Sequence, residues 1–250
     1  MATQREGELY MLGLALLESW FPILSIVAIQ HIGALHTYAF SLLVSLIFFA
    51  VIMIRKNLFT ELKNPNAYKD LLLTSFWINT LFIFVFLGMQ YTTAGNMSVI
   101  IFMQVLFSYF YFNVFGDEKM DKIHTLGAIM MVIGAVVIMM PKELVLNKGD
   151  MLIMIGAAIA PISNYFSKRT RKHCSSETIL GFRTFVALPV IGLFAWVFEP
   201  NIDYHDITKL SAMLAIIPMM TLFFAYLYLG EVLETRQLLG IVPVLVGGYL

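Results

Sequence analysis

Charge is scarce in this sequence: Asp, Glu, Lys and Arg make up 13% of its 250 residues, against about 25% in a soluble domain. So few charged groups cannot coat the surface of a water-soluble chain of this length. The charge present cancels, 16 Lys and Arg against 16 Asp and Glu, so no net field points to nucleic acid or to any strongly charged partner. Cysteine occurs once, as Cys174 in "SKRTRKHCSSE". That rules out an intramolecular disulfide and a cysteine-built metal site, and leaves Cys174 as a bystander thiol. H-E-x-x-H, G-x-S-x-G, a phosphate-binding loop and a Cys–His arrangement are also missing. The chain therefore reads as a non-enzyme without cofactor or metal.

What fills the space is apolar: 60% of residues are hydrophobic and the mean hydropathy is +0.83. This is the composition of an integral, multi-pass membrane protein. Runs of the length a bilayer requires, about 20 residues, predict spans near 9–32, 37–54, 70–91, 96–115, 123–140, 150–167, 178–198, 210–229 and 237–250. The first run is longer than a signal-peptide core and shows no small-x-small cleavage site, so it reads as a retained helix.

Loop charge orients these spans. "RKNLFTELKNPNAYKD" carries Arg55, Lys56, Lys63 and Lys69, and "SKRTRKHCSS" carries Lys168, Arg169, Arg171 and Lys172, whereas "QHIGALH" and "QYTTAGNM" carry neither Lys nor Arg. Because cytoplasmic loops collect Lys and Arg, the N-terminus is expected in the cytoplasm. "FEPNIDYHD", with Glu199, Asp203 and Asp206, then falls outside as an acidic, solvated loop.

The chain also repeats itself. Setting Glu118 on Glu231 aligns Asp121 with Glu234, Leu126 with Leu239, Gly127 with Gly240 and Gly134 with Gly247, all 113 apart. Ser41 of "SLLVSL" against Arg183 of "RTFVAL", and Gly7 against Gly149, are instead 142 apart. The two offsets differ by 29, one span and a short loop, and the shortfall lies opposite the third helix, "DLLLTSFWINTLFIFVFLGMQYT". Five spans per half force an inverted repeat. The expected fold is an all-α, inverted five-helix repeat: 1–142, then 143–250 with the equivalent of helix eight missing and the last helix shortened.

Three features, "FLGMQYTTAGNMSVIIFMQVLFSYFYFNVFGDE", "IIPMMTLFFAYLYLGE" and the glycine-spaced closing helices, together resemble the EamA domains of the drug/metabolite transporter superfamily. The resemblance covers nearly the whole chain. It implies a ten-helix fold in a bacterial or archaeal cytoplasmic membrane that exports small organic solutes such as amino acids, metabolites or drugs by alternating access, often coupled to an ion gradient. The fold does not identify the substrate.

Polar residues deep in the spans are the candidate site. Glu18 lies roughly 15 Å into helix one. It is either a titrating group that exchanges protons for solute, or a protonated glutamate bonded to a neighbouring helix. Arg183 lies roughly 10 Å into its helix. It is a snorkelling anchor, or a group that binds an anion or pairs with Glu18. Gln104, Asn79 and Asn164 are amides suited to interhelical bonding or to solute contact. Trp20, Tyr38 and Trp77 are candidate cavity walls, and Pro22 and Pro218 candidate hinges. Gly127, Gly134, Gly240 and Gly247 mark close helix packing, with homodimer contact as the alternative. The partners expected are a small solute, the lipid bilayer and protons. The competing reading is a transport-inactive scaffold or assembly component.

Overall fold

A backbone amide in hydrocarbon finds no partner but another backbone group, so apolar runs of this length must become helices. The computed structural model, which describes residues 20–115, 130 and 147–200, has helices and no strand among those residues. We number them α1 (Trp20–Ile32), α2 (Ala34–Arg55), α3 (Pro65–Met89), α4 (Ala94–Phe102), α5 (Gln104–Phe115), α6 (Lys148–Thr170) and α7 (Ser176–Phe198). A 3-10 segment, Leu58–Lys63, joins α2 to α3. Five stretches among the described residues are long and apolar enough to cross a membrane. The predicted spans at 210–229 and 237–250, and that at 123–140 apart from residue 130, lie outside the described residues, and with them the expected loss of the helix-eight equivalent.

Two predicted boundaries shift. The run expected as one helix over 96–115 starts earlier and is interrupted at Met103, whose N–H donates to Ile100 O at 3.0 Å. This tightened i to i−3 step separates α4 from α5. The third span begins at Pro65 rather than at residue 70, because proline fits the first turn of a helix, where an N–H would have no partner.

The chain divides into two compact units, 1–32 with 201–250, and 33–200. Only α1 is described in the first. In the second, α2 lies antiparallel to α7: Ala34 meets Glu199 at one end, and Lys56 meets Glu177 at the other. Helix α3 lies antiparallel to α6, with Gly88 against Gly149 at one end and Asp70 against Arg169 at the other.

Absent side chains let α3 and α6 touch. A Cβ on Gly149 would stand 2.5 Å from Gly88 O, and one on Gly88 would stand 2.8 Å from Gly149 O. Further along, Gly156 faces Val85 and Leu81. Small residues allow this approach where lipid gives no hydrophobic drive to associate. Outward, Val44, Ile47, Val51 and Ile54 form an exposed apolar stripe down α2, and Leu193, Trp196 and Val197 one on α7. Water would not tolerate such stripes; hydrocarbon does.

Local caps fix where the helices begin. Helix α6 carries a capping box in which Asn147 accepts from Asp150 N–H at 2.8 Å and Asp150 accepts from Asn147 N–H at 3.2 Å. Ser175 caps α7 through Thr178 N–H. Helix α2 has no such side chain of its own: its cap position is Gly33, at φ 83°.

Candidate functional site

Polar groups in a membrane span are expensive, so the places where they converge are informative. Tyr38 of α2, Asn79 of α3 and Arg183 of α7 converge in the 33–200 unit. The Tyr38 hydroxyl donates to Asn79 Oδ1 at 2.7 Å, and Asn79 Nδ2 donates to Ser75 O at 2.6 Å and, at a long 3.4 Å, to Arg183 O. Tyr38, only 4% exposed, stacks on Phe86 with ring centroids 4.9 Å apart. Phe82 packs against the same Tyr38 ring at 5.9 Å and lies 5.6 Å beneath the Arg183 guanidinium.

The guanidinium thus sits over the face of an aromatic ring, a cation–π contact. Counted along α3, Phe82 lies roughly 25 Å from the end at Pro65 and roughly 10 Å from the end at Met89. The Arg183 guanidinium thus lies at the level of Phe82, away from the end that carries the basic loops. Its Nε is fully buried and makes no hydrogen bond. Among the described residues no carboxylate pairs with it.

Both ends of the α2–α7 pair are tied by carboxylates. Glu199 immediately follows α7 and covers the start of α2: Oε1 accepts from Ala34 N–H at 3.0 Å, and both oxygens accept from Leu35 N–H at 3.1 Å. Oε2 accepts from His36 N–H at 3.2 Å and lies 3.0 Å from His36 Nδ1, while Gln90 Nε2 donates to Oε1 at 3.2 Å. A carboxylate here satisfies amides that the first helical turn leaves open and favours the positive end of the helix dipole. Glu199, expected in a solvated acidic loop, is instead a structural clasp with its side chain 18% exposed. Asp203 and Asp206 lie outside the described residues.

At the opposite end Glu61, which follows α2, reaches the start of α7. Its Oε2 accepts from Ser175 N–H at 2.7 Å and from Ser175 Oγ at 2.9 Å. Burial pushes the Glu61 carboxyl up, but hydrogen bonds from Thr178 and Ser175 outweigh it and hold the group below its ordinary range. Burial, seconded by the Glu61 charge, pushes the Cys174 thiol up. Cys174 packs with Ala67, Leu71 and Ile179, in keeping with a bystander thiol.

Lys56 meets Glu177 at 2.8 Å and Arg169 meets Asp70 at 3.2 Å at this same end. The two basic segments of the sequence therefore share one end of the unit. At the other end, Thr92 Oγ1 donates to Asp150 and Lys148 lies 5.3 Å over the Tyr91 ring.

Of the residues singled out in the sequence, the fold brings together Tyr38, Asn79 and Arg183. Trp77 is half-buried and packs edge-on against Phe76. Gln104 opens α5, half-buried, just after the break at Met103. Asn164 is exposed on α6 and makes no contact with the cluster, and Trp20 is 55% exposed on α1. Pro22 is buried in the first turn described of α1. Glu18, Pro218, Gly127, Gly134, Gly240 and Gly247 lie outside the described residues.

Sequence reasoning missed Glu199, Glu61, His36 and the Gly88–Gly149 contact. No local pattern announces Glu199, whose partners at the start of α2 are 163 to 165 positions away.

Compared with known proteins, residues 5–140 match the family model described as the EamA-like transporter family. No curated protein and no solved structure matches the chain.

Proposed function

Since this chain belongs to the EamA-like transporter family, and is thus a multi-pass membrane transporter of small solutes, we infer that it is a secondary transporter that exports a small organic solute by alternating access. The observation that carries this reading is the Tyr38–Asn79–Arg183 cluster. A hydrogen-bonded polar centre holding a cation that meets no carboxylate among the described residues is costly for a structural helix pair and useful to a solute that must be bound and released.

We place the two halves at 1–142 and 143–250 as an inverted repeat. Two observations support it. Helices α2 and α7 begin at positions 34 and 176, which differ by the 142 residues of the sequence register. They also run antiparallel, and the start of each is held by a carboxylate that follows the end of the other: Glu199 on the first amides of α2, and Glu61 on the cap residue Ser175 of α7. Glu18 is the group proposed to exchange a proton for solute.

The basic segments at one end favour that end as cytoplasmic, which puts the N-terminus inside, in a bacterial or archaeal cytoplasmic membrane. Reconstitution of the full chain in proteoliposomes tests the reading: organic solute flux above that of empty vesicles is expected. Flux that never exceeds the empty control would refute transport. Proton-driven flux unchanged in Glu18→Gln would remove Glu18 from coupling.

A further inference from the structure

The described cations differ in what neutralises them. At the bundle ends Lys56 has Glu177 and Arg169 has Asp70. Arg183 lies within a span, has no carboxylate partner among the described residues, and buries an Nε that donates to nothing. The neighbouring polar groups do not relieve it. Asn79 Oδ1 is taken by the Tyr38 hydroxyl, and Asn79 Nδ2 is spent on Ser75 O and Arg183 O. They fix where the Arg183 backbone sits and, among the described residues, bring no negative charge to it.

A guanidinium is always ionised, and its Nε–Nη edge presents two parallel N–H groups that match a carboxylate. With one face of Arg183 resting on Phe82, that edge is the part left to recognise a ligand. A neutral solute would leave the buried charge as costly as before, and a cationic one would add repulsion. We propose that Arg183 docks a carboxylate of the solute, so that this transporter takes small organic anions. The proposal rests on the transporter reading for its physiological meaning, but the binding site stands or falls on its own measurement.

Acid–amide pairs of equal shape supply the probes: propionate with propionamide, and benzoate with benzamide. Thermal unfolding of the purified full chain is followed as each is titrated at constant ionic strength. The acids are expected to raise the melting temperature and the amides not to. Arg183→Gln should weaken the acid's apparent affinity by about tenfold or more, the effect of losing a hydrogen bond between charged groups. Arg183→Lys, which keeps the charge but loses the fork, should fall between. Without ligand, R183Q should melt no lower than the parent, because it removes an unpaired buried charge.

Equal responses to acid and amide, no response to either, or an acid response that survives in R183Q would each overturn the proposal. The same panel in proteoliposomes separates the two readings. Flux of amides without acids leaves a transporter and defeats the anion site. Acid binding that depends on Arg183, without flux of any solute, leaves the site and defeats the transporter.

Discussion

Gly33 shows how one residue can serve two constraints. Its φ of 83° with ψ of 166° lies in a region essentially confined to glycine, where a residue with a Cβ loses about 1–3 kcal/mol. A Cβ there would also stand 2.5 Å from Glu199 Oε2, so the carboxylate could not approach the amides of Ala34, Leu35 and His36. Gly33→Ala should therefore lower the melting temperature in detergent by more than the backbone penalty alone. Adding Glu199→Ala to it should cost less than the sum of the single changes, because the two side chains compete for one space. Strict additivity would show that they do not.

At the scale of elements, side chains distant in sequence hold the starts of α2 and α7: Glu199 caps α2, and Glu61 binds the Ser175 that caps α7. Glu199→Ala leaves the first turn of α2 uncapped and should cost about 0.5–2 kcal/mol, the usual range for a lost cap. Glu61 makes the corresponding link pH-dependent. Its carboxyl is held below the ordinary value of 4.5, so the folded chain binds this proton less readily than the unfolded chain. The stabilisation is then fully present above the ordinary value and is lost as pH falls through the folded one. Glu61→Gln should melt below the parent at neutral pH, with the gap closing in acid. A gap that is constant with pH would mean that Glu61 acts by shape rather than by charge.

Elements also differ in how far their chemistry is local. The capping box of α6 is carried by four consecutive residues, Asn147 to Asp150, and the ends of α2 and α7 agree with the hydropathy pattern to within a few residues. By contrast, Asn164 and Asn79 are both amides inside apolar runs. Hydropathy treats them alike, yet one is exposed and the other buried against Tyr38. A helix that is apolar on every side has no periodicity to say which face turns inward.

Across the whole molecule, sidedness is the property that the bundle ends express. Arg55, Lys56, Lys63, Arg169, Arg171 and Lys172 fall at the end where α2 and α6 finish and α3 and α7 begin. With Cys174 replaced by Ser, a cysteine at Lys172 should react with an impermeant maleimide only after intact cells are opened, and one at Tyr91 should react before. The reverse pattern would invert the orientation.

Membrane class, helix positions and the uneven distribution of basic loops were determined by the sequence alone, because burial of some 20 apolar residues per span and the siting of Lys and Arg depend only on local composition. The tertiary structure decided which of the costly polar groups meet. It set Arg183 over Phe82 with no carboxylate partner among the described residues, joined Tyr38 to Asn79, and turned Glu199 from a residue of a solvated loop into the clasp of α2. The physical reason is that a helix satisfies its own backbone but not its side chains or its first amides. Those find partners only when distant segments pack, and distance along the chain carries no record of that.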